Sequence, residues 1–198
     1  TEAEKLLNES INIFNVTKQV ANKYSLNIAA AYNYIGEIRK YNMKFDEALE
    51  YYDKAIAICE NKNALTSIAI FEINAGEAAF DMGNYSKAKE YFSRAYDLYT
   101  QLDMLWRRST VEAFMSLLLC KEGEYNEALQ YLKDADIHSK KIKNPHEVGI
   151  VYRVKAEIRS NMNQNSKIEK AFTKYLSENV EHYCLEGIRF LKSVMDRS

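Results

Sequence analysis

The sequence predicts an all-α protein, a right-handed α-solenoid of about ten helices arranged as antiparallel hairpins. Three observations predict it: an eleven-residue pattern that returns every forty residues, small residues at the same interval, and very little glycine or proline. The pattern is FDEALEYYDKA from residue 45, YSKAKEYFSRA from 85 and YNEALQYLKDA from 125. A helical hairpin of this size is too thin to bury its own apolar stripe, so successive copies must stack on each other.

Columns of small and bulky residues keep the same forty-residue interval. The small columns are Gly36, Gly76, Ser116 and Ala156, then Ala48, Ala88 and Ala128, then Ala55, Ala95 and Ala135. A bulky residue separates the alanines of each copy, as Tyr52 does in the first and Phe92 in the second. Because Ala48, Tyr52 and Ala55 fall at i, i+4 and i+7, they share one face of a helix with 3.6 residues per turn.

Residues that favour helix ends recur in register with these columns. The predicted N-caps are Asp46, Ser86, Asn126 and Ser166. Gly83 and Gly123 precede two of them, where a helix end requires a residue that tolerates the left-handed conformation. A further start is predicted at Asn144, with Pro145 in the first helical position and Glu147 placed to complete a capping box.

These signals define the elements and the domain organisation. We expect helices near 3–22, 25–42, 46–61, 64–82, 86–101, 104–122, 126–141, 145–162, 166–179 and 181–196. They form one domain over 1–198, with repeats at about 24–63, 64–103 and 104–143, a degenerate fourth at 144–180, an N-terminal helix at 3–22 and a C-terminal helix at 181–196. The chain opens with TEAEKLL and no Met, so we expect it to be a piece of a longer protein.

Composition excludes several classes of function. The 27 Lys and Arg residues nearly balance the 28 Asp and Glu residues, so no strong basic field attracts nucleic acid or an anionic membrane. The longest largely apolar run, residues 114–120, is far shorter than the roughly 20 residues of a membrane span. Three widely spaced cysteines without a Cys-x-x-Cys pair, and no visible signal peptide, favour a cytoplasmic protein with reduced thiols.

The segment YIGEIRKYNMKFDEALEYYDKAIAI, residues 34–58, resembles the tetratricopeptide repeat. The family positions are Ile35-Gly36, Phe45, Ala48, Tyr52 and Ala55, then Ala75-Gly76, Tyr85, Ala88, Phe92 and Ala95, then Met115-Ser116, Tyr125, Ala128, Leu132 and Ala135. A fourth copy departs from the pattern, because Asn165, Ile168 and Tyr175 replace its aromatic residue and two alanines. The forty-residue interval exceeds the usual ~34 of the family. This longer variety of the repeat is similar to the arrays found in bacterial regulators. Those arrays sense peptides or proteins and lie beside a DNA-binding, kinase or cyclic-dinucleotide output domain.

The resemblance implies that a ligand contacts the concave face formed by the first helix of each hairpin. The matching positions are Asn33, Glu37 and Lys40, then Ile73, Glu77 and Phe80, then Ala113, Leu117 and Cys120, then Arg153, Glu157 and Ser160. Glu37, Glu77 and Glu157 share a column that would favour a basic or amino-terminal ligand group, although a solvated helix face has the same pattern. Apolar residues at Ile73, Phe80, Ala113 and Leu117 would give the middle of the groove an apolar floor for a helix or extended peptide.

No constellation of residues predicts catalysis, and we expect no cofactor and no metal. The three histidines, His138, His146 and His182, lack partners at metal-ligand spacing apart from Cys184, so solvent-facing or capping roles are favoured over a zinc site. The phosphate-loop, zincin, dinucleotide and nucleophile-elbow motifs are absent from the sequence. The fifteen tyrosines favour core packing over base stacking, because the repeating ones follow the helical period.

The last helix carries more apolar surface than a solvated helix needs. One stripe runs through Cys184, Ile188, Leu191 and Met195, and a second through Tyr183, Phe190 and Val194. This surface would cap the solenoid, contact a second copy or lead to an output domain. The sequence therefore predicts a protein- or peptide-binding module of a bacterial cytoplasmic regulator, with a homo-oligomeric assembly module as the alternative and an RNA-binding repeat as a remote one.

Overall fold

The structure is a computed structural model that describes residues 2–16, 18–142, 144–162, 165–176 and 180–195. Over these residues the chain forms eleven α-helices joined by short turns, with no β-strand, which confirms the all-α prediction. It divides into two compact units, Thr1–Leu98 and Tyr99–Ser198.

The first unit begins with two short helices where the sequence predicts one helix at 3–22. Helix α1 spans Glu2–Phe14 and α2 spans Lys18–Lys23. The first helix ends in a tightened turn, in which the Asn15 amide donates to Ile11 and Asn12 and the Val16 amide to Ile13. Asn and β-branched Val have low helix propensity, and Asn competes for backbone hydrogen bonds, which explains the break.

Long helices of equal length follow these two. They are α3 Ser25–Tyr41, α4 Phe45–Asn61, α5 Leu65–Asp81 and α6 Tyr85–Gln101. Ile11 of α1 packs with Ile28, Ala31 and Ile35 of α3, which fixes α1 against one side of α3. Helix α3 packs mainly on α4 and also contacts α5.

A left-handed residue follows each of the five long helices that end between residues 41 and 122, at twenty-residue intervals. These residues are Met43, Asn63, Gly83, Asp103 and Gly123, with φ between 52° and 88°. After each one, the next amide donates to a carbonyl five residues earlier, as from Lys44 to Arg39 and from Asn84 to Ala79, both at 2.9 Å. This Schellman geometry reverses the chain in three residues and divides the forty-residue interval into two helices. The prediction for Gly83 and Gly123 is confirmed.

The predicted N-caps at Asp46, Ser86, Asn126 and Ser166 are wrong. The helices begin at Phe45, Tyr85, Tyr125 and Ser166, so the four predicted residues lie inside the first turn. Capping is done one or two residues earlier, where Asn84 accepts from the Lys87 amide at 3.1 Å and Asn165 from the Lys167 amide at 3.0 Å. Asp46 instead places a carboxylate in the first turn of α4, where the helix dipole favours it.

The small columns lie where two helices cross. A Cβ added to Gly36 would stand 2.6 Å from the Tyr52 ring, and one added to Gly76 would stand 2.4 Å from the Phe92 ring. Only glycine leaves room for a fully buried aromatic ring at these crossings, so each pairing locks the two helices of one hairpin together. Ser116, in the same column, is also completely buried.

The second unit has three long helices, one short helix and a terminal helix. They are α7 Leu105–Glu122, α8 Tyr125–Ile142, α9 Pro145–Met162, α10 Ser166–Phe172 and α11 Val180–Met195. Asn144 caps α9 as predicted, accepting from the His146 amide at 3.0 Å, but Glu147 forms no capping box. Its buried carboxylate accepts hydrogen bonds from Ser109, at 3.0 Å, and Thr110 of α7.

Helix α10 ends at Phe172, seven residues before the predicted 179. Tyr175 occupies a position where the repeat has alanine, and its hydroxyl donates to Asp136 of α8 at 3.1 Å. Helix α11 packs instead on α9, where Gly187 allows close approach: an added Cβ would lie 3.4 Å from the Tyr152 Cβ atom.

Candidate binding surfaces

Lys40 of α3 forms ion pairs with two of the predicted site residues, one on α3 and one on α5. Lys40 Nζ lies 2.6 Å from Glu77 Oε2 and 3.5 Å from Glu37 Oε1. Burial would lower the pKa of Lys40, but the charges of Glu77 and Glu37 raise it above its usual value. The lysine therefore stays charged and holds the two carboxylates together across the two helices.

Glu37 also accepts a hydrogen bond from a buried side chain. The Tyr52 hydroxyl donates to Glu37 Oε1 at 2.5 Å. Burial and this contact with Glu37 raise the pKa of Tyr52, so the hydroxyl stays protonated as the donor. The predicted column of carboxylates is thus real at Glu37 and Glu77, but it is not a row of unpaired charges.

The remaining predicted residues of these two helices lie against neighbouring side chains. Asn33 is buried, and its Oδ1 accepts from Asn74 Nδ2 of α5 at 2.9 Å. Ile73 is buried in the core. The Phe80 ring packs on Tyr85, with 5.3 Å between ring centroids. Asn33 and Ile73 therefore support the surface more than they form it.

The accessible stripe of α3 lies beside the predicted positions. Tyr34 is 59% exposed and Tyr41 is 88% exposed. They are seven residues apart, with Glu37 between them, so the three share one face of the helix. The sequence indicates this stripe, because two tyrosines at i and i+7 share one face of a helix. It was missed because the repeated tyrosines were expected to be core residues.

The predicted apolar floor at Ala113 and Leu117 is wrong. Ala113 is fully buried and Leu117 is 2% exposed, and Cys120 beside them is buried as well. Helix α7 packs against both α8 and α9, so every residue from Ser109 to Cys120 is buried. These positions are core, and a ligand cannot reach them without displacing a helix.

Three predicted positions of the fourth repeat, Arg153, Glu157 and Ser160, border a cavity between α9 and α11. The cavity has a volume of about 510 Å³ and is lined by Gly149, Arg153, Ala156, Glu157, Ser160, Tyr183, Cys184, Gly187 and Ile188. Its lining is mainly apolar, with Arg153 and Glu157 as its charged residues. The Arg153 guanidinium also lies 5.1 Å from the Phe114 ring centre, in a cation–π contact that orients it.

The terminal helix is only partly described. Cys184, Leu185 and Ile188 are exposed, while Tyr183 is buried and packs on Tyr152 with ring centroids 6.4 Å apart. The side chains of Phe190, Leu191, Val194 and Met195, which belong to the predicted apolar stripes, lie outside the described residues.

A buried carboxyl group lies between α4, α5 and α6. Glu72 of α5 is 0% exposed, and neither carboxyl oxygen accepts a hydrogen bond from the described residues. Arg94 Nη2 stands 2.9 Å from Glu72 Oε1 and also 2.8 Å from Glu60. Burial raises the pKa of Glu72 to about 7; Arg94 opposes this, and the negative charges of Glu60 and Asp53 add to it.

The equivalent carboxyl group forty residues later is fully partnered. Glu112 of α7 accepts from Arg108 Nε at 3.2 Å and Nη2 at 3.0 Å, and its other oxygen lies 2.8 Å from His138 Nδ1. This arrangement orients His138 but does not place a nucleophile beside it in the described parts of the chain. In the part of the chain that the structure describes, no cluster of three His, Cys, Asp or Glu residues is placed to hold a metal.

Comparison with known proteins agrees with this architecture. The tetratricopeptide repeat family matches residues 27–101. The crystal structure of BtubC (BKLC) from P. vanneervenii is similar with a TM-score of 0.69 and 15% identity, covering 98% of this chain and 74% of that one. The apo form of RapI is similar with a TM-score of 0.67 and 15% identity, covering 96% of this chain and 77% of that one.

At this identity the two structures support the fold alone, and they confirm the prediction of an all-α array of helical hairpins. The predicted tetratricopeptide resemblance is confirmed over the matched residues 27–101. The search of curated proteins finds no match. None of the helices in the described ranges combines the length and the apolarity needed to cross a bilayer.

Proposed function

Because residues 27–101 form tetratricopeptide repeats, we propose that the chain is a non-catalytic module that binds a protein or peptide. The observation that carries the proposal is the face shared by α3 and α5. There, bulky and charged side chains that the core does not use, among them Tyr34, Tyr41 and Asp81, are exposed on helices held rigidly from behind. Because these helices are already rigid, little conformational entropy is lost when a ligand binds.

We place the module in a cytoplasmic bacterial regulator, as its sensory or scaffolding part. The resemblance to repeat arrays of such regulators supports this role. The complete polypeptide is then expected to contain an output domain, or to act on one in a partner, with the terminal helix α11 as the connection. A complete gene product without an output domain, and with no regulatory partner, would contradict it.

Selection from a random twelve-residue peptide library displayed on phage tests the binding function. The 198-residue chain serves as bait, and an unrelated helical protein with a similar net charge serves as the reference. We expect the chain to enrich a family of related peptides that bind saturably in solution. If no peptide is enriched over the reference bait, the peptide-binding function is wrong.

A homo-oligomeric assembly module is the second candidate, and exposed apolar residues favour it. Leu6 and Ile13 of α1 are exposed on the first unit, and Leu185 and Ile188 of α11 on the second. Light scattering over a dilution series separates the two functions. A monomer at all concentrations supports the binding module, while a mass that falls on dilution supports self-assembly.

A further inference from the structure

One face of the first unit combines exposed aromatic rings with carboxylates. Tyr34, Glu37 and Tyr41 form a stripe along α3, and Glu77 and Asp81 of α5 lie beside it, linked through Lys40. We call these five residues the tyrosine–carboxylate face: Tyr34, Glu37, Tyr41, Glu77 and Asp81.

The tyrosines of this face do not contribute to the core. Helix α3 packs on α1 through Ile28 and Ile35, and on α4 where Gly36 meets the Tyr52 ring. Tyr34 and Tyr41 lie on the remaining side, away from both contacts, with 59% and 88% of their surface exposed. Two large rings held on one exposed stripe of a rigid helix are a typical basis for a recognition surface.

The face carries an excess of negative charge. Its side chains include three carboxylates, and the cation that they share is Lys40, which bridges Glu37 and Glu77. Two neighbouring cations, Arg39 and Lys44, form ion pairs with Glu47 of α4, each at 3.0 Å. The tyrosine–carboxylate face therefore attracts cations.

We propose that the tyrosine–carboxylate face binds a segment rich in lysine or arginine from a partner protein. This inference rests on the proposed peptide-binding function and specifies the chemistry of the partner. The ring faces of Tyr34 and Tyr41 attract ammonium and guanidinium groups through cation–π contacts. The carboxylates between and beside them accept charge-assisted hydrogen bonds from the same groups.

Charge decides against the other classes of peptide. An acidic segment would meet three carboxylates and one lysine, so like charges would oppose its approach. A purely apolar segment would cover the carboxylates without supplying donors, and desolvation of these charges would oppose binding. A basic segment satisfies both the rings and the carboxylates.

The peptide selection described above tests the inference through the composition of the enriched peptides. We expect them to carry several Lys or Arg residues. A labelled peptide from this pool should bind the chain less tightly as salt increases, because exposed charge pairs are screened. The affinity is measured by fluorescence anisotropy.

Substitutions locate the binding surface. The double change Tyr34→Ser and Tyr41→Ser should weaken the selected peptide about tenfold, because two exposed cation–π contacts are lost. Asp81→Asn should weaken it several-fold and reduce its salt dependence. Circular dichroism checks the helical fold of each variant, which we expect to persist because all three side chains are exposed.

A matched control removes an exposed apolar residue and an exposed carboxylate elsewhere. Ile137→Ser with Glu90→Gln likewise removes exposed apolar surface and one carboxylate charge, on α8 and α6 and not on the face, and should leave the affinity unchanged. An enriched pool without an excess of basic residues would overturn the inference while leaving peptide binding intact. Equal binding of the basic peptide by the tyrosine variant and the control would overturn it as well.

Discussion

The buried carboxyl group of Glu72 gives the sharpest test of the packing between α4, α5 and α6. In the unfolded chain its pKa is about 4.5, and in the folded protein it is about 7. A raised pKa means that folding works against the charged form. The stability that the neutral carboxyl provides is fully present below about pH 4.5, and it is lost as pH rises through about 7.

The magnitude follows from the two pKa values. A change from 4.5 to about 7 corresponds to about 3 kcal/mol of stability lost above pH 8, since one pH unit is worth about 1.4 kcal/mol. Glu72→Gln removes the titration and keeps the shape. Between pH 5 and pH 8.5, the unfolding free energy of the variant should therefore rise by about 2–3 kcal/mol relative to that of the parent chain.

Urea unfolding followed by circular dichroism at 222 nm, at constant ionic strength, measures this difference. Comparing the change between two pH values cancels the fixed cost of burying an amide in place of a carboxyl. A difference between the chains that stays constant across this pH range would refute the assignment of Glu72 as a buried group that titrates near neutrality.

Glu112 supplies a matched control from the same repeat position. It is equally buried, but it accepts hydrogen bonds from Arg108 and lies 2.8 Å from His138. Glu112→Gln should therefore destabilise the chain by about 1–3 kcal/mol at pH 8, because the removed charge accepted hydrogen bonds that the Glu72 carboxylate lacks. Stabilisation of both variants would mean that hydrogen bonding does not distinguish the two sites.

Three further predictions concern the helix crossings, a turn and the thiols. Gly76→Ala should destabilise the chain by about 1–3 kcal/mol in urea unfolding, because the new Cβ would stand 2.4 Å from the Phe92 ring. Gly187→Ala should destabilise it much less, because its new Cβ would stand 3.4 Å from the Tyr152 Cβ atom. An equal loss would refute the crossing geometry. Met43→Gly should stabilise it by about 1 kcal/mol by the same assay, since Met43 has φ of 61° and glycine adopts this conformation without strain; a loss of stability would contradict this. A thiol reagent should modify Cys184 first in the native chain, because the other two cysteines are buried; rapid labelling of all three would contradict this.

The fold could be predicted in detail because its causes are local and repeated. Glycine in one helix and an aromatic residue in the next recur at one interval, and the structure places Gly36 against Tyr52 and Gly76 against Phe92. The predicted helix starts were wrong by one or two residues, because Asn84 and Ser86, two residues later, have similar capping preferences and only backbone geometry distinguishes them.

The candidate site was predicted less well, because the position within a repeat does not determine exposure. Glu37 and Glu77 lie where the repeat pattern places them, bridged by a lysine of the same stripe. Leu117 occupies the equivalent position but is buried, because α7 packs on two neighbouring helices. The repeat identifies equivalent positions, and the neighbours of each helix decide which of them reach the solvent.

The sequence by itself determined the long helices from α3 to α9, the turns at Gly83 and Gly123 and the pairing of small with aromatic residues, since these depend on interactions within a few turns of chain. Only the tertiary structure decided which side chains are exposed and which charges meet. Tyr34 and Tyr41 are exposed, and Glu72 is buried without a hydrogen bond while Glu112 has several. Such differences arise where separate helices meet, because the burial and partners of a side chain depend on residues far away in the sequence.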